Sequence, residues 1–162
     1  MVAESQSVYL PGPSGRALYS ERNDEMSLEE TREVITAYLQ NHADPNLLAE
    51  DAVFTDMGTG EEYRGRDAIA RSLEYFYHQA FEARPEVHGT VIADGHAVAE
   101  GEFIGRHIGE FAGMPATGRE VRVPICVAYD VEGDKITRGR IYLLANVLMQ
   151  QLGAIPASAQ VG

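Results

Sequence analysis

Apolar positions change their period about halfway along the chain. From Ser27 to Ala80 they recur three and four residues apart, the spacing of one helix face. Ser27 and Glu30 make a capping box, and Glu29, Glu30 and Glu33 stand where a helix dipole favours anions. The stripe Leu28, Ile35, Tyr38 and Leu39 follows. Asp44-Pro45 starts a short second helix through Leu47 and Leu48, with Asp as cap and Pro in the first turn. Ala52 to Asp56 reads as a brief strand, and Met57 to Gly65 as loop. A third helix is expected from Asp67 through Ile69, Leu73, Phe76, Tyr77 and Ala80, with Pro85 as its stop.

Beyond Val87 the alternation is that of strands. Val87 to Ala93, the turn Asp94-Gly95, and Ala97 to Ile108 predict a hairpin. A glycine-rich loop spans Gly109 to Gly118. Val121, Val123, Ile125, Val127, Tyr129 and Val131 then alternate with smaller or polar residues. Glu132-Gly133-Asp134 turns the chain into a last strand, Lys135 to about Ala145. Pro124 cannot donate to a ladder and should mark a bulge or an edge. Helices followed by an antiparallel run define an α+β class: a curved antiparallel sheet with three N-terminal helices enclosing a pocket.

Composition narrows the function. The chain has 162 residues, enough for one core; the domain is expected over 25–155, with a loose arm at 1–24 and a tail at 156–162. A net charge of −12 disfavours nucleic acid and anionic membrane as partners, leaving a small molecule. The single Cys126 cannot form an internal disulfide and reads as an inert small hydrophobe; a reducing cytoplasm fits. The histidines 42, 78, 88, 96 and 107 are scattered, so no metal is expected, and neither a phosphate loop nor a nucleophile elbow occurs. No cofactor is implied.

The remaining polar groups are the candidates. Phe103 and His107 share a face of the second long strand; Arg138, Arg140, Tyr142 and Leu144 share a face of the last. Tyr38 lies on the apolar side of the first helix, and Phe76 on that of the third. His107 is either a site residue or the anchor of the glycine loop, and Asp56 either a base or the cap of the turn after it. Arg140 would be a solvated charge if the face assignment were inverted, and a tyrosine at a position such as Tyr142 more often packs than does chemistry. Apolar side chains on both sheet faces, Val121 to Val127 on one and Ile141 and Leu143 on the other, suggest a homodimer through the outer face.

The run Gly105-Arg106-His107-Ile108-Gly109-Glu110-Phe111-Ala112-Gly113-Met114-Pro115-Ala116-Thr117-Gly118 resembles the SnoaL-like polyketide cyclase family of the NTF2-like superfamily. Gln150-Gln151-Leu152-Gly153 and Tyr63-Arg64-Gly65-Arg66-Asp67-Ala68-Ile69 resemble two further motifs of that family. The resemblance implies a cone-shaped α+β barrel, usually homodimeric, that closes a polyketide ring by an aldol reaction without metal or cofactor. The family's acid, counted back from Gly153, falls at Leu144, which cannot move a proton. Asp56 is similar in setting to the general base of ketosteroid isomerase, and Tyr38 to its enolate-binding tyrosine. Three readings follow: a proton-transfer cyclase or isomerase using Asp56 or His107, a non-catalytic binding protein, or an epoxide-opening enzyme. The site set is then Asp56 and His107 for catalysis, with Tyr38, Phe76, Phe103, Arg140, Tyr142 and Leu144 against the substrate.

Overall fold

The computed structural model describes residues 27–156. The expected arm, and all of the expected tail but Pro156, lie outside that range.

Helix α1 (Leu28–Gln40) opens on the expected capping box, with the Glu30 N–H donating to Ser27 Oγ at 3.2 Å and the Ser27 N–H to Glu30 Oε2 at 2.9 Å. Its buried face is Thr31, Val34, Ile35 and Tyr38, while Leu28 faces outward. Thr31 Oγ1 accepts the Gly95 N–H at 2.9 Å, tying the helix to a hairpin tip 64 residues away. A single 3-10 turn (Pro45–Leu47), capped by Asp44, is all that forms of the second helix. Leu48 already belongs to β1 (Leu48–Asp56), which is therefore longer than expected. The segment read as loop contains β2 (Glu62–Arg64), a short partner of β1.

Helix α2 (Arg66–Glu74) continues as a π-helical turn (Tyr75–Ala80) and passes directly into β3 (Phe81–Ala93). Pro85 thus lies inside a strand rather than ending a helix. The reason is position: β3 is the outermost strand, and a missing N–H costs nothing on the side without a neighbour. Strands β4 (His96–His107), β5 (Glu120–Glu132) and β6 (Lys135–Leu143) complete a sheet of order β2-β1-β6-β5-β4-β3. From β3 to β6 it is antiparallel as expected, but β1 runs parallel to β6, so the sheet is mixed. Leu144 is not on the last strand; it is the N-cap of α3 (Ala145–Gln151), so the third α-helix follows the sheet instead of preceding it.

Pro124 sits where β6 has run out, as its missing donor requires. The last β5–β6 pair is Ile125 with Leu143, and the Leu144 N–H reaches the Pro124 carbonyl at 3.2 Å. Two residues earlier the open edge is filled by the Gln151 side chain, which accepts the Arg122 N–H at 2.7 Å and donates to the Arg122 carbonyl at 2.9 Å. β3 bulges between Val87 and Gly89 and crosses close over Gly101, where a Cβ would lie 2.0 Å from the Glu86 carbonyl oxygen. Only glycine allows that bend.

Cross-strand register settles the faces. Val127 pairs with Ile141 and Ile125 with Leu143, so both apolar sets lie on the concave side. The outer face carries Arg122, Arg140, Asp130, Glu100 and Glu102 with the exposed Val91, Val98 and Tyr142 between them, so it is mixed, and the two apolar sets named in the sequence do not lie on opposite faces. Two apolar clusters form on the concave side. One joins α1 to Phe54, Ala99, Tyr129 and Ile136; the other joins Phe81, Phe103, Val123 and Leu148. Fully buried rings such as Phe81 and Phe103 contribute roughly 2–3 kcal/mol each. No described helix is long and apolar enough to cross a membrane.

Candidate active site

A cavity of about 620 Å³ opens between the two clusters. Its walls include Tyr38, Phe54, Ile141 and Leu143, and the π-helical turn contributes Tyr75, Phe76 and Tyr77. Widening the helix by one residue per turn turns those neighbouring side chains inward together.

Three phenols meet there, two buried and one, Tyr77, half-buried. Tyr38, 1% exposed, packs edge-on against Tyr129, 3% exposed, at 5.7 Å between ring centres. Tyr77 is close enough to influence both. Among the described residues none of the three hydroxyls has a hydrogen-bond partner, although all three residues line the cavity. Burial raises the Tyr77 phenol to about 12 and lifts Tyr38 and Tyr129 as well, so all three remain protonated donors at neutral pH. His42, one turn after Tyr38 and 4.9 Å from its ring, has its basicity lowered by burial and is a neutral imidazole at pH 7.

Asp56 stands at the end of β1 and lines the same cavity. Its Oδ1 accepts the Gly58 N–H at 2.8 Å and the Thr59 N–H at 3.1 Å, so it caps the turn and lines the cavity at once. Oδ2 carries neither bond. Beside it lie Glu61 and the half-buried Tyr63, whose phenol is pushed up to about 12 by burial, then by the charge of Glu61 and its hydrogen bond to that carboxylate, and last by the charge of Asp56.

Phe76 is the aromatic centre of the far wall, stacked on Phe103 at 4.5 Å. Phe103 is fully buried beneath it and does not reach the cavity. His107 is fully buried too, but outside the cavity lining. Its Nδ1 accepts the Thr117 N–H at 3.2 Å and lies 3.0 Å from Thr117 Oγ1, so the imidazole anchors the glycine loop. Its Nε2 is buried without a partner among the described residues, and the ring lies 5.1 Å from that of Phe81. That loop carries Phe111 and Ala112 onto the cavity.

The face assignment of the last strand is inverted. Ile141 and Leu143 point into the cavity, whereas Tyr142 (46% exposed) and Leu144 (47% exposed) do not reach it. Arg140 lies on the outer face in a bidentate pair with Asp130, at 2.7 and 2.9 Å. A one-residue difference in phase along a strand exchanges every inward and outward side chain.

One further group escapes sequence spacing. Glu86, His88 and Glu102 bring three ligand atoms within 4.8 Å at the β3 bulge. Both carboxylates are already paired, Glu102 with Arg122 and Glu86 with Arg84 at 3.2 Å, so the group is an ion-pair network rather than a vacant ligand set. Sequence reasoning also passed over Tyr129, Tyr77 and His42 as site residues. The available signals were the four-residue step from Tyr38 to His42 and the single polar tip in the alternation from Val121 to Val131.

A curved sheet closed by helices over one cavity, with phenols and a carboxylate in its walls, defines the NTF2-like class of α+β cone. The match to the family described as SnoaL-like polyketide cyclase runs over residues 31–152, and the chain belongs to that family. Solved structures agree in fold. A SnoaL-like polyketide cyclase candidate from Jannaschia sp. CCS1 is 13% identical with a TM-score of 0.68, covering 85% of this chain and 99% of its own. TsrD from Streptomyces laurentii is 21% identical with a TM-score of 0.66, over 78% of this chain and 97% of its own. A phenazine biosynthesis-related protein from Pseudomonas aeruginosa is 19% identical with a TM-score of 0.67, over 83% and 88%. No curated protein matches the chain.

Proposed function

We propose that the chain is a cofactor-independent enzyme that moves protons on an apolar, oxygenated, polyketide-like molecule. The observation that carries this is the set of three phenols, without a partner among the described residues, that share a cavity with the Asp56 carboxylate. Asp56 takes a proton from a carbon next to a carbonyl, and the C–H electron pair moves onto the carbonyl oxygen as an enolate. Tyr38, Tyr77 and Tyr129 donate hydrogen bonds to that oxygen, the place where preorganised donors are most effective. The enolate carbon then either attacks a second carbonyl, whose oxygen takes the proton from Asp56, or is reprotonated at another carbon. The first outcome is aldol cyclisation and the second isomerisation. His107, outside the cavity lining, is not the base in this reading.

The test is hydrogen–deuterium exchange at the α-carbon of 2-tetralone in D2O, followed by proton NMR. The protein should accelerate exchange, and Asp56→Asn should lower that rate about a hundredfold. No acceleration by the wild type sinks the reading.

A binding-only role has one observation in its favour: Asp56 Oδ1 is already occupied by the Gly58 and Thr59 N–H groups, so the carboxylate serves the turn. It requires 2-tetralone to bind without exchange. We also propose a homodimer through the outer face, where Val91, Val98 and Tyr142 are exposed. Light scattering at micromolar protein that gives the monomer mass rejects it.

A further inference from the structure

The cavity is not neutral in its charge preference. None of its lining residues is lysine or arginine. Glu86, Glu100 and Glu102 touch it from strand positions whose side chains take the outer face, and Glu86 and Glu102 are paired there with arginines. Asp56 and Glu61 differ, flanking Tyr63 beside the cavity with no basic side chain recorded on either. Tyr63 is half-buried and Glu61 is exposed, so one aromatic ring and two carboxylates stand together at the solvent side of the cavity. In the same cavity the phenols of Tyr38 and Tyr129, both at least nine-tenths buried, offer hydrogen bonds that no described protein group takes.

We infer that the ligand of this cavity carries two kinds of polar group: carbonyl or hydroxyl oxygens at the phenols of Tyr38 and Tyr129, and a protonated amine beside Asp56, Glu61 and the ring of Tyr63. An ammonium group there gains from both carboxylates and from the face of the ring. A carboxylate there is a third negative charge with no cation to meet it, which is how a site rejects a wrong partner. The inference rests on the proposed site but not on its chemistry. With Asp56 as base, Glu61 holds the amine, and the nearby positive charge favours enolate formation.

Three naphthalene probes of one shape separate the charge effect from apolar burial: 2-(aminomethyl)naphthalene, 2-(hydroxymethyl)naphthalene and 2-naphthoate. Calorimetric titration of the full chain at pH 7 and low salt should rank them in that order, with about tenfold between each. Glu61 is an exposed turn residue, so its variants should fold. Glu61→Gln should reduce the amine preference to about threefold or less, and Glu61→Lys should make 2-naphthoate the tighter ligand over the amine. Equal affinities for the three probes, failure of the amine to bind, or an unchanged order in Glu61→Lys overturns the inference. Because binding is read without turnover, a retained order with no 2-tetralone exchange sinks only the enzyme reading. Exchange with no order sinks only this inference.

Discussion

The Tyr75 hydroxyl donates to the Glu110 carbonyl at 2.6 Å, joining the π-helical turn to the loop that brings Phe111 over the cavity. The loop has a second tether at its far end, His107 to Thr117. Removing the first alone should loosen one side. Tyr75→Phe should cost about 1 kcal/mol in stability and speed amide exchange from Gly109 to Met114, while the amides near Thr117 stay protected. Exchange mass spectrometry that shows no change in this segment refutes the tether.

Leu144→Asp offers a test with two opposite outcomes. If position 144 belonged to the active site, an acid there would alter turnover. The structure instead makes it the exposed N-cap of α3, where leucine supplies no capping bond. The variant should therefore gain about 0.5–1 kcal/mol, raising Tm by roughly 2–4 °C, with the 2-tetralone exchange rate unchanged. A changed pH–rate profile would contradict that placement.

Asp130 links the outer face to acid stability. Its burial alone would raise the carboxyl, but the Arg140 bond and charge, with His96 at 3.1 Å, outweigh this and hold it below the ordinary range. A depressed folded-state value means stability that is present above the unfolded value near 4 and lost as pH falls through the folded one. Thermal melts from pH 6 to 2 should show that loss, and Asp130→Asn should be less stable at pH 6 with a flatter profile. Parallel profiles for the two proteins would refute the linkage.

Tyr38→Phe should separate function from stability. The hydroxyl has no partner among the described residues, so its removal should change stability by less than about 1 kcal/mol. Loss of one enolate donor should slow 2-tetralone exchange about tenfold to a hundredfold. A stable variant with full exchange activity would remove Tyr38 from the proposed site.

Strong local signals in the sequence were enough to place α1, the β3–β4 hairpin and the alternation of β5. The capping box, Asp94-Gly95 and the Val121–Val131 pattern each carry their own geometry. What escaped depends on neighbours. Pro85 reads as a helix stop unless β3 is known to be an edge strand, and Leu144 reads as strand unless the helix it caps is seen. Asp56, Tyr38 and Phe76 could be placed near a cavity because period and element fixed their faces. Arg140, Tyr142 and Leu144 could not, since the phase of β6 is set by its pairing with β5 and β1. The phenol trio was hidden for a similar reason: Tyr38, Tyr77 and Tyr129 come from three elements and meet only in three dimensions.

The direct passage from Ala80 to Phe81 leaves no slack between helix and strand. One residue added or removed at that joint would reverse which side chains of β3 look inward along thirteen residues, until the bulge or the sheet gave way. The far wall therefore has a fixed length. Exchanging Phe76, Tyr77 or Phe111 for larger or smaller groups would reshape the chamber without touching that joint. Added backbone length would leave the joint undisturbed in the turn after Asp56 or in the glycine loop, two borders of an otherwise inextensible room.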